Sequence, residues 1–386
     1  MTIYVYEELS ASPSANPFCA MAREGEAMLR SVTRDLSAID RVIPILHASR
    51  DPHQLAGEPI IVNDRSFEEL LDDADPHAGW LVIAPETGGS LRAKTQAVER
   101  RGYRLLSPGS AWVALGENKN TLPLWAQSLA FPTFETQDEA WQSMGLGDNN
   151  RSRDATPASL RQTNSNKSAA MDLSRDLCRG IVAKRPDGAG AENVFGCPFS
   201  EEERIDWPLM LKRLGGDWVY QPWLDGPQVR WQSQAFIGQS NGTVFPMPIA
   251  DQFVEAIPME GTPFFRFRYL GGRVPSNHVA DSMNGFQQRL LDKLQSRGSV
   301  DSRRGYFGVD MVQAGEMTWL IELNPRLTTS YVGYSHWIAR ASGRADTMGR
   351  LLLGQTPAPL DLETPAVLFR SDGVILDENE LGIGQS

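Results

Sequence analysis

The chain has 386 residues, more than one core ordinarily supports, so two or three domains are expected. A formal net charge of −11 argues against a nucleic-acid binder, which needs a basic surface, but leaves room for a nucleotide held by a few local cations. Apolar runs are short and Met1 to Glu8 is acidic, so no membrane segment or signal peptide is expected and a cytoplasmic location is the default; Cys19, Cys178 and Cys197 show neither metal-ligand spacing nor a disulfide framework.

In the first third, strand-like stretches at Ile3–Tyr6, Val42–His47 and Trp80–Ala84 alternate with helical ones at Cys19–Ala38 and Ser90–Arg101. Such alternation predicts a parallel α/β layer. The loops Glu8–Pro17 and Pro85–Gly89 follow strands, at the carboxyl ends where open α/β sheets bind ligands, although neither has dinucleotide-fingerprint spacing. Glu86 reads either as a helix-entry carboxylate or as a ligand contact. From Gly147 to Ser174 the composition turns to Asn, Ser, Arg, Thr and Ala, and a mobile excursion is expected.

Two lysines follow apolar stretches. Lys119 opens a helix after Trp112–Leu115, and Lys184 ends the strand Ile181–Lys184 before the small-residue loop Asp187–Ala191. A lysine leaving a strand can point its ammonium at phosphate, and small residues let backbone N–H groups approach. The loop lacks Gly-Lys-Ser or Gly-Lys-Thr, so it is not a P-loop, and by itself it also suits a hairpin turn. In Trp218–Val229 a strand enters a Pro-interrupted segment whose unpaired backbone can read a base edge, with Trp223 and Leu224 lining it; the plainer reading is an edge strand ending in an Asp-Gly turn.

Phe264–Arg273 mixes aromatics and cations and could line an aromatic acceptor pocket. Arg266 and Arg268 share one face of a strand and could meet phosphate or substrate carboxylate; alternatively this is an ordinary half-buried strand ending in a Gly271-Gly272 turn. Further on, Gly305–Val312 and Trp319–Arg326 read as consecutive apolar strands carrying Asp310, Glu322 and Asn324. Period-2 alternation puts Glu322 and Asn324 on one face, which Asp310 joins if the hairpin loop within Gln313–Glu316 holds an odd number of residues. Carboxylate and amide oxygens without Cys or His suit a hard cation such as Mg²⁺, unless both acids are merely solvated strand positions. Ala366–Arg370 reads as a last edge strand, with a poorly anchored tail from Asp377.

Taken in order, the elements from about Trp112 to Ala341 resemble the ATP-grasp superfamily. The resemblance implies an α/β, ATP-grasp fold: an N-terminal parallel α/β (pre-ATP-grasp) domain over 1–111, a small central α+β lid subdomain over 112–220 with an insertion near 147–174, and a C-terminal α+β subdomain over 221–386 carrying the metal site. It further implies that Lys119 and Lys184 contact ATP phosphates, that Gly188, Ala189 and Gly190 close over them, that Gln221, Pro222, Trp223 and Leu224 hold adenine, and that Gln228 meets the ribose. Asp310, Glu322 and Asn324 would ligate one or two Mg²⁺ ions, with Mn²⁺ able to substitute. Two positions depart from the pattern: Gln221 replaces a common acid, and Gly308 replaces an arginine that several ligases use on the transferring phosphate, leaving Arg326 or Lys184 as the catalytic cation.

A narrower resemblance rests on Tyr6-Glu7, Glu24–Met28, Ala84-Pro85-Glu86 and, above all, Asn324–Gly333. These segments are similar to the tyramine-glutamate ligase family of methanofuran biosynthesis and its bacterial relatives. Implied is an ATP-dependent carboxylate-amine ligase with small-molecule acid and amine partners, forming an amide through an acyl phosphate. Arg326, Thr328, Thr329, Ser330 and Glu86 would then meet the acceptor or the transferring phosphate, although the Thr-Thr-Ser run also reads as a capped helix start. Competing expectations are a superfamily ligase with a different acceptor and a nucleotide-binding protein without turnover. The oligomeric state is left open, a homodimer included.

Overall fold

The computed structural model describes residues 1–13, 19–134, 136, 138–140, 177–188, 190, 193–199, 201–297, 299 and 303–376, with the side chains of 201–205 left aside. Ala189, the segment 147–174 and the tail from Asp377 lie outside the described residues. Strands β1 (Thr2–Glu7), β2 (Arg41–His47), β3 (Ile60–Val62), β4 (Gly79–Ile83) and β5 (Arg104–Leu105) form a parallel sheet in the order β3-β2-β1-β4-β5. Parallel strands are covered on both faces, and β1 and β4 are accordingly apolar at nearly every position. Ile3, Val5, Leu81 and Ile83 pack toward helix α1 (Ala20–Ser37). Tyr4, Tyr6, Trp80 and Val82 pack on the opposite side with helices α2 (Phe67–Asp72) and α3 (Ser90–Arg100). The three- and two-residue strands β3 and β5 are too short to show a sequence pattern.

Ten strands make the second, antiparallel sheet: β6 (Cys178–Lys184), β7 (Val194–Pro198), β8 (Val219–Leu224), β9 (Val229–Gly238), β10 (Val244–Pro258), β11 (Phe265–Val274), β12 (Gly305–Ala314), β13 (Met317–Asn324), β14 (Val367–Arg370) and β15 (Ile375–Leu376). It has two lobes. β6, β7 and β8 form the smaller, and β7 joins the larger through only two residue pairs, Phe265↔Gly196 and Arg266↔Phe195 of β11. The 220/221 division expected from sequence falls inside β8, which pairs with β6 along its length. Pro222 is tolerated there because β8 ends the path of the sheet.

Helices α4 (Ser110–Gly116) and α5 (Leu122–Ala126) belong to the back of the larger lobe, where Trp112 and Trp125 pack with Phe307, Leu320 and Leu323. Gly271-Gly272 is not a turn. Both glycines lie within β11, where an added Cβ would meet the Phe369 carbonyl at 2.0 Å and the Asp251 carbonyl at 2.3 Å, so they let β14 and β10 approach. Helices α6 (Glu201–Leu214) and α7 (Ser282–Gln295) precede α8 (Ser330–Ser342), which packs against α1 and the larger lobe. One core containing Ile3, Leu29, Tyr331, Trp337 and Phe369 therefore joins the two sheets. No helix among the described residues is long and apolar enough to cross a membrane.

Candidate active site

The β12–β13 hairpin places Asp310 opposite Glu322 and Gly308 opposite Asn324. Its turn holds two residues, Gly315 and Glu316, an even number. The face is completed instead by a register shift: Met311 pairs with Leu320 and Asp310 with Glu322, leaving Ile321 as the extra residue of a bulge. The odd-loop expectation is corrected on this point. Bulged this way, Ile321 also lines the cleft beside the acids.

Asp310 accepts hydrogen bonds from Gln252 Nε2 (2.7 Å) and Asn324 Nδ2 (2.9 Å). Donation through Nδ2 leaves the Asn324 carbonyl oxygen as its uncommitted group. Glu322 pairs with Lys119 Nζ at 2.8 Å, and the same ammonium donates to the Gly188 carbonyl, while Lys119 N–H donates to Pro186 O at 2.9 Å. Lys184 is buried at the end of β6.

Electrostatics separates the two acids. Burial, followed by the charge of Glu322, pushes the Asp310 carboxyl up to about 6. Burial pushes Glu322 upward too, but Lys119, Lys184 and Arg326 outweigh it and hold the group below its usual range. Burial lowers Lys184 to about 8, partly offset by Glu322. Two facing carboxylates and an amide oxygen, one acid poorly compensated by protein cations, fit a hard divalent ion that needs one or two protein carboxylates. Among the described residues no third Asp, Glu, His or Cys joins them.

These groups line a cleft of about 240 Å³ where the two lobes meet the carboxyl ends of β1 and β4. The small lobe contributes Val182, Gln221 and Pro222 to its walls, and Phe131 joins Trp231 of β9 and Ile321 of β13 from the larger lobe. Trp223 and Leu224 do not line it. Trp223 packs against Phe265 and Phe267, with ring centroids 5.1 and 5.2 Å away, and Leu224 joins a core with Trp319. The Gln221 amide donates to Thr133 Oγ1 at 2.8 Å. Gln228 is exposed beside the β12–β13 turn, its carbonyl accepting from Gly315 N–H, outside the cleft lining. Gly190, with φ of +67°, does line it.

β11 contributes the face opposite to the one its cations suggested. Arg266 and Arg268 point to solvent, Arg268 pairing with Glu255, while Phe267 and Tyr269 line the cleft. Placing those arginines at a ligand is therefore corrected: the strand's apolar face turns inward.

Toward the parallel sheet the cleft is lined by Glu7, Met21, Glu24, Pro85, Thr328, Thr329 and Ser330, among others. Glu7 is buried, with its carboxylate accepting from Leu9 N–H at 3.1 Å and Ser10 N–H at 2.7 Å. Thr329 stands at the start of α8 without capping it; its hydroxyl donates to Glu24 instead, at 3.2 Å. Thr328 Oγ1 lies 2.9 Å from Tyr306 OH and 2.8 Å from Ser330 Oγ. Arg326 Nε pairs with the buried Glu86 at 2.9 Å. Gly308 is covered by Thr328, whose methyl would lie 2.9 Å from an added Cβ.

Sequence reasoning missed Gln252 and the walls Phe131, Val182 and Trp231. Gln252 carried a usable signal, a polar residue within a strand-like run, which is what singled out Glu322. The three wall residues carried none, being ordinary apolar positions brought together only by the meeting of the lobes.

A parallel-sheet domain followed by two antiparallel lobes that enclose a cleft with two buried lysines and an acid pair is the ATP-grasp fold. A family model described as an ATP-grasp domain matches residues 154–330, and the chain carries such a domain. Solved structures agree on the fold. An ATP-grasp superfamily protein from Archaeoglobus fulgidus is 17% identical with a TM-score of 0.61, covering 96% of this chain and 92% of that one. Biotin carboxylase from Campylobacter jejuni is 12% identical with a TM-score of 0.58, covering 95% and 74%. The N5-carboxyaminoimidazole synthetase of Staphylococcus aureus complexed with ADP is 12% identical with a TM-score of 0.58, covering 95% and 82%. No curated protein matches the sequence.

Proposed function

We propose that the protein is an ATP-dependent carboxylate-amine ligase, with nucleotide between the lobes and the acid and amine entering beside the parallel sheet. The observation that carries this reading is a single cleft in which Lys184, Asp310, Glu322 and Asn324 run directly into Arg326, Thr328, Thr329 and Ser330. In this reading phosphate-binding and acceptor-binding chemistry share one cleft.

In this reading Lys119 and Lys184 bind phosphate oxygens, Gly188, Ala189 and Gly190 cover them, and Gln221 and Pro222 meet the base beside Phe131 and Trp231. Asp310, Glu322 and the Asn324 amide oxygen would hold one or two Mg²⁺ ions, or Mn²⁺, whose chemistry is charge neutralisation at the phosphates. Gln252 fixes the Asp310 carboxylate. A substrate carboxylate oxygen attacks the γ-phosphorus and the bond to the ADP oxygen breaks, giving an acyl phosphate. The acceptor nitrogen then attacks the acyl carbon, phosphate departs, and the nitrogen loses its proton to leave an amide. Arg326, oriented by Glu86 at the boundary between the two halves, offers a planar cation to the transferring phosphate or the substrate carboxylate. Positioning and charge stabilisation do most of the work.

The finer reading is that glutamate is the acid and tyramine, tyrosine or a related amine the acceptor, in making a methanofuran-like one-carbon carrier. It is supported by the resemblance of Asn324–Gly333, and of the segments holding Glu7, Glu24 and Glu86, which all meet at the cleft. The test is ADP release with Mg²⁺ and ATP across glutamate and an amine panel, with mass spectrometry of products. Acid- and amine-dependent ADP release with the matching amide is expected. Nucleotide binding with no turnover across a wide acid and amine panel would overturn the ligase.

A further inference from the structure

The turn that follows β4 makes, besides the Glu86–Arg326 pair, contacts to Asp187 that the ligase reading does not use. Thr87 Oγ1 donates to the Asp187 carbonyl at 3.1 Å, and Gly88 N–H donates to the Asp187 carboxylate at 3.1 Å. Glu86, in the same turn, pairs with Arg326 at 2.9 Å. Gly88 and Gly89 are both left-handed, with φ of +64° and +72°, a conformation that fixes where the Gly88 N–H points and that L side chains resist. Asp187 lies between Pro186, whose carbonyl accepts from Lys119 N–H, and Gly188, whose carbonyl accepts the Lys119 ammonium. One short turn of the parallel-sheet domain therefore holds the loop after Lys184 with one end and Arg326 with the other. The Lys119 that this loop holds pairs in turn with Glu322 at 2.8 Å.

The geometry points to a catch. Asp187 and Glu86 are positioning residues, and through them the seating of the phosphate-side loop and the placement of Arg326 are a single event. The inference rests on nucleotide binding at Lys119 and Lys184, as proposed above. Its consequence is that Arg326 is held for phosphate transfer only when the loop is down over the phosphates. An exposed side chain with no such role would be replaceable without effect, since isolated surface contacts contribute little.

The test uses the full chain with Mg²⁺ and a fluorescent non-hydrolysable ATP analogue. Dissociation of the analogue is followed by stopped flow, and amide hydrogen exchange of the peptides covering 84–90 and 324–330 is measured with and without it. Asp187→Ala should speed dissociation about fivefold, the worth of one net hydrogen bond, and should remove the nucleotide-induced protection of 324–330. Asp187→Asn, which keeps an oxygen to accept from Gly88 N–H, should restore both to within about twofold of wild type, a few tenths of a kcal/mol. Wild-type dissociation in Asp187→Ala, or faster dissociation with protection of 324–330 intact, overturns the catch while leaving the ligase standing. A wild-type protein that binds no Mg²⁺-nucleotide overturns the site itself, so the two failures are distinct.

Discussion

Asp310 and Glu322 face each other directly across β12 and β13, and they do so because Ile321 is one residue more than the ladder needs. Without the bulge Asp310 would pair with Ile321 and its carboxylate would stand across the sheet from Glu322. The pair is asymmetric despite its symmetric look. Glu322 has Lys119 at 2.8 Å, whereas Asp310 has only the neutral amides of Gln252 and Asn324.

That asymmetry predicts opposite responses in the cation-free protein. Asp310→Asn removes a poorly compensated buried charge, and at pH 7.5 in chelator it should gain about 1–2 kcal/mol, the relief of a carboxyl raised to about 6 less one disturbed hydrogen bond. Glu322→Gln strips the partner from buried Lys119 and should lose about 3 kcal/mol. Urea denaturation measures both. Each variant should also lose the rise in Tm that Mg²⁺ gives the wild type, and a retained rise in both would remove the metal assignment.

A second prediction concerns pH and the packing of α1 on α8. His336 accepts from Arg34 Nη1 at 3.1 Å, and burial, then Arg34 and Arg340, lower its pKa from 6.5 to about 4. Between those values the unfolded chain binds a proton that the folded protein refuses, so the stability it contributes is present above pH 6.5 and lost as pH falls toward 4. His336→Gln has no such loss. The gap in stability between wild type and His336→Gln should therefore move against the wild type on acidification, by denaturant titration at pH 7.5, 5.5 and 4.5. Parallel pH profiles would show that His336 titrates normally.

The acid-amide strand was legible because Glu322 and Asn324 obey a local period, and the parallel layer because β1, β2 and β4 are apolar runs bounded by turn residues. What was not legible depends on partners far along the chain. The alternation in Phe265–Tyr269 was visible, but which face turns inward is set by the meeting of β11 with the cleft, and so Phe267 and Tyr269 line it while Arg266 and Arg268, offered as possible ligand contacts, face solvent. The same holds for Trp223 and Leu224, whose strand faces were fixed by Phe267 and Trp319. A bulge at Ile321 leaves no local mark at all, since isoleucine is as ordinary in a regular strand as in an irregular one.

Gly308 gives a third prediction. An added Cβ would meet the Thr328 methyl at 2.9 Å, and Thr328 is held by hydroxyl contacts to Tyr306 and Ser330. Gly308→Ala should cost about 1–2 kcal/mol by overpacking. Thr328→Ser deletes the offending methyl and keeps the hydroxyl, so the double variant should regain most of that loss. Equal costs of Gly308→Ala in both backgrounds would place the strain elsewhere, in the β12 backbone rather than at Thr328.

The fourth prediction sets helix propensity against close packing at Gly25. Within α1, Gly→Ala should by itself stabilise by about 1 kcal/mol. Here a Cβ would sit 2.6 Å from the Glu7 carboxyl carbon and one of its oxygens, and the carboxylate cannot retreat because Leu9 and Ser10 N–H groups hold it. Overpacking costs about 1–3 kcal/mol and each charged hydrogen bond about 1.5–3 kcal/mol, so the clash wins and Gly25→Ala should destabilise by about 2–4 kcal/mol. In a Glu7→Ala background the obstacle is gone and only propensity is left. There Gly25→Ala should be neutral or stabilising by up to about 1 kcal/mol. A double-mutant cycle by urea denaturation decides between these terms: the same loss in both backgrounds would mean that Gly25 is needed by the helix itself and not by the acid in the cleft.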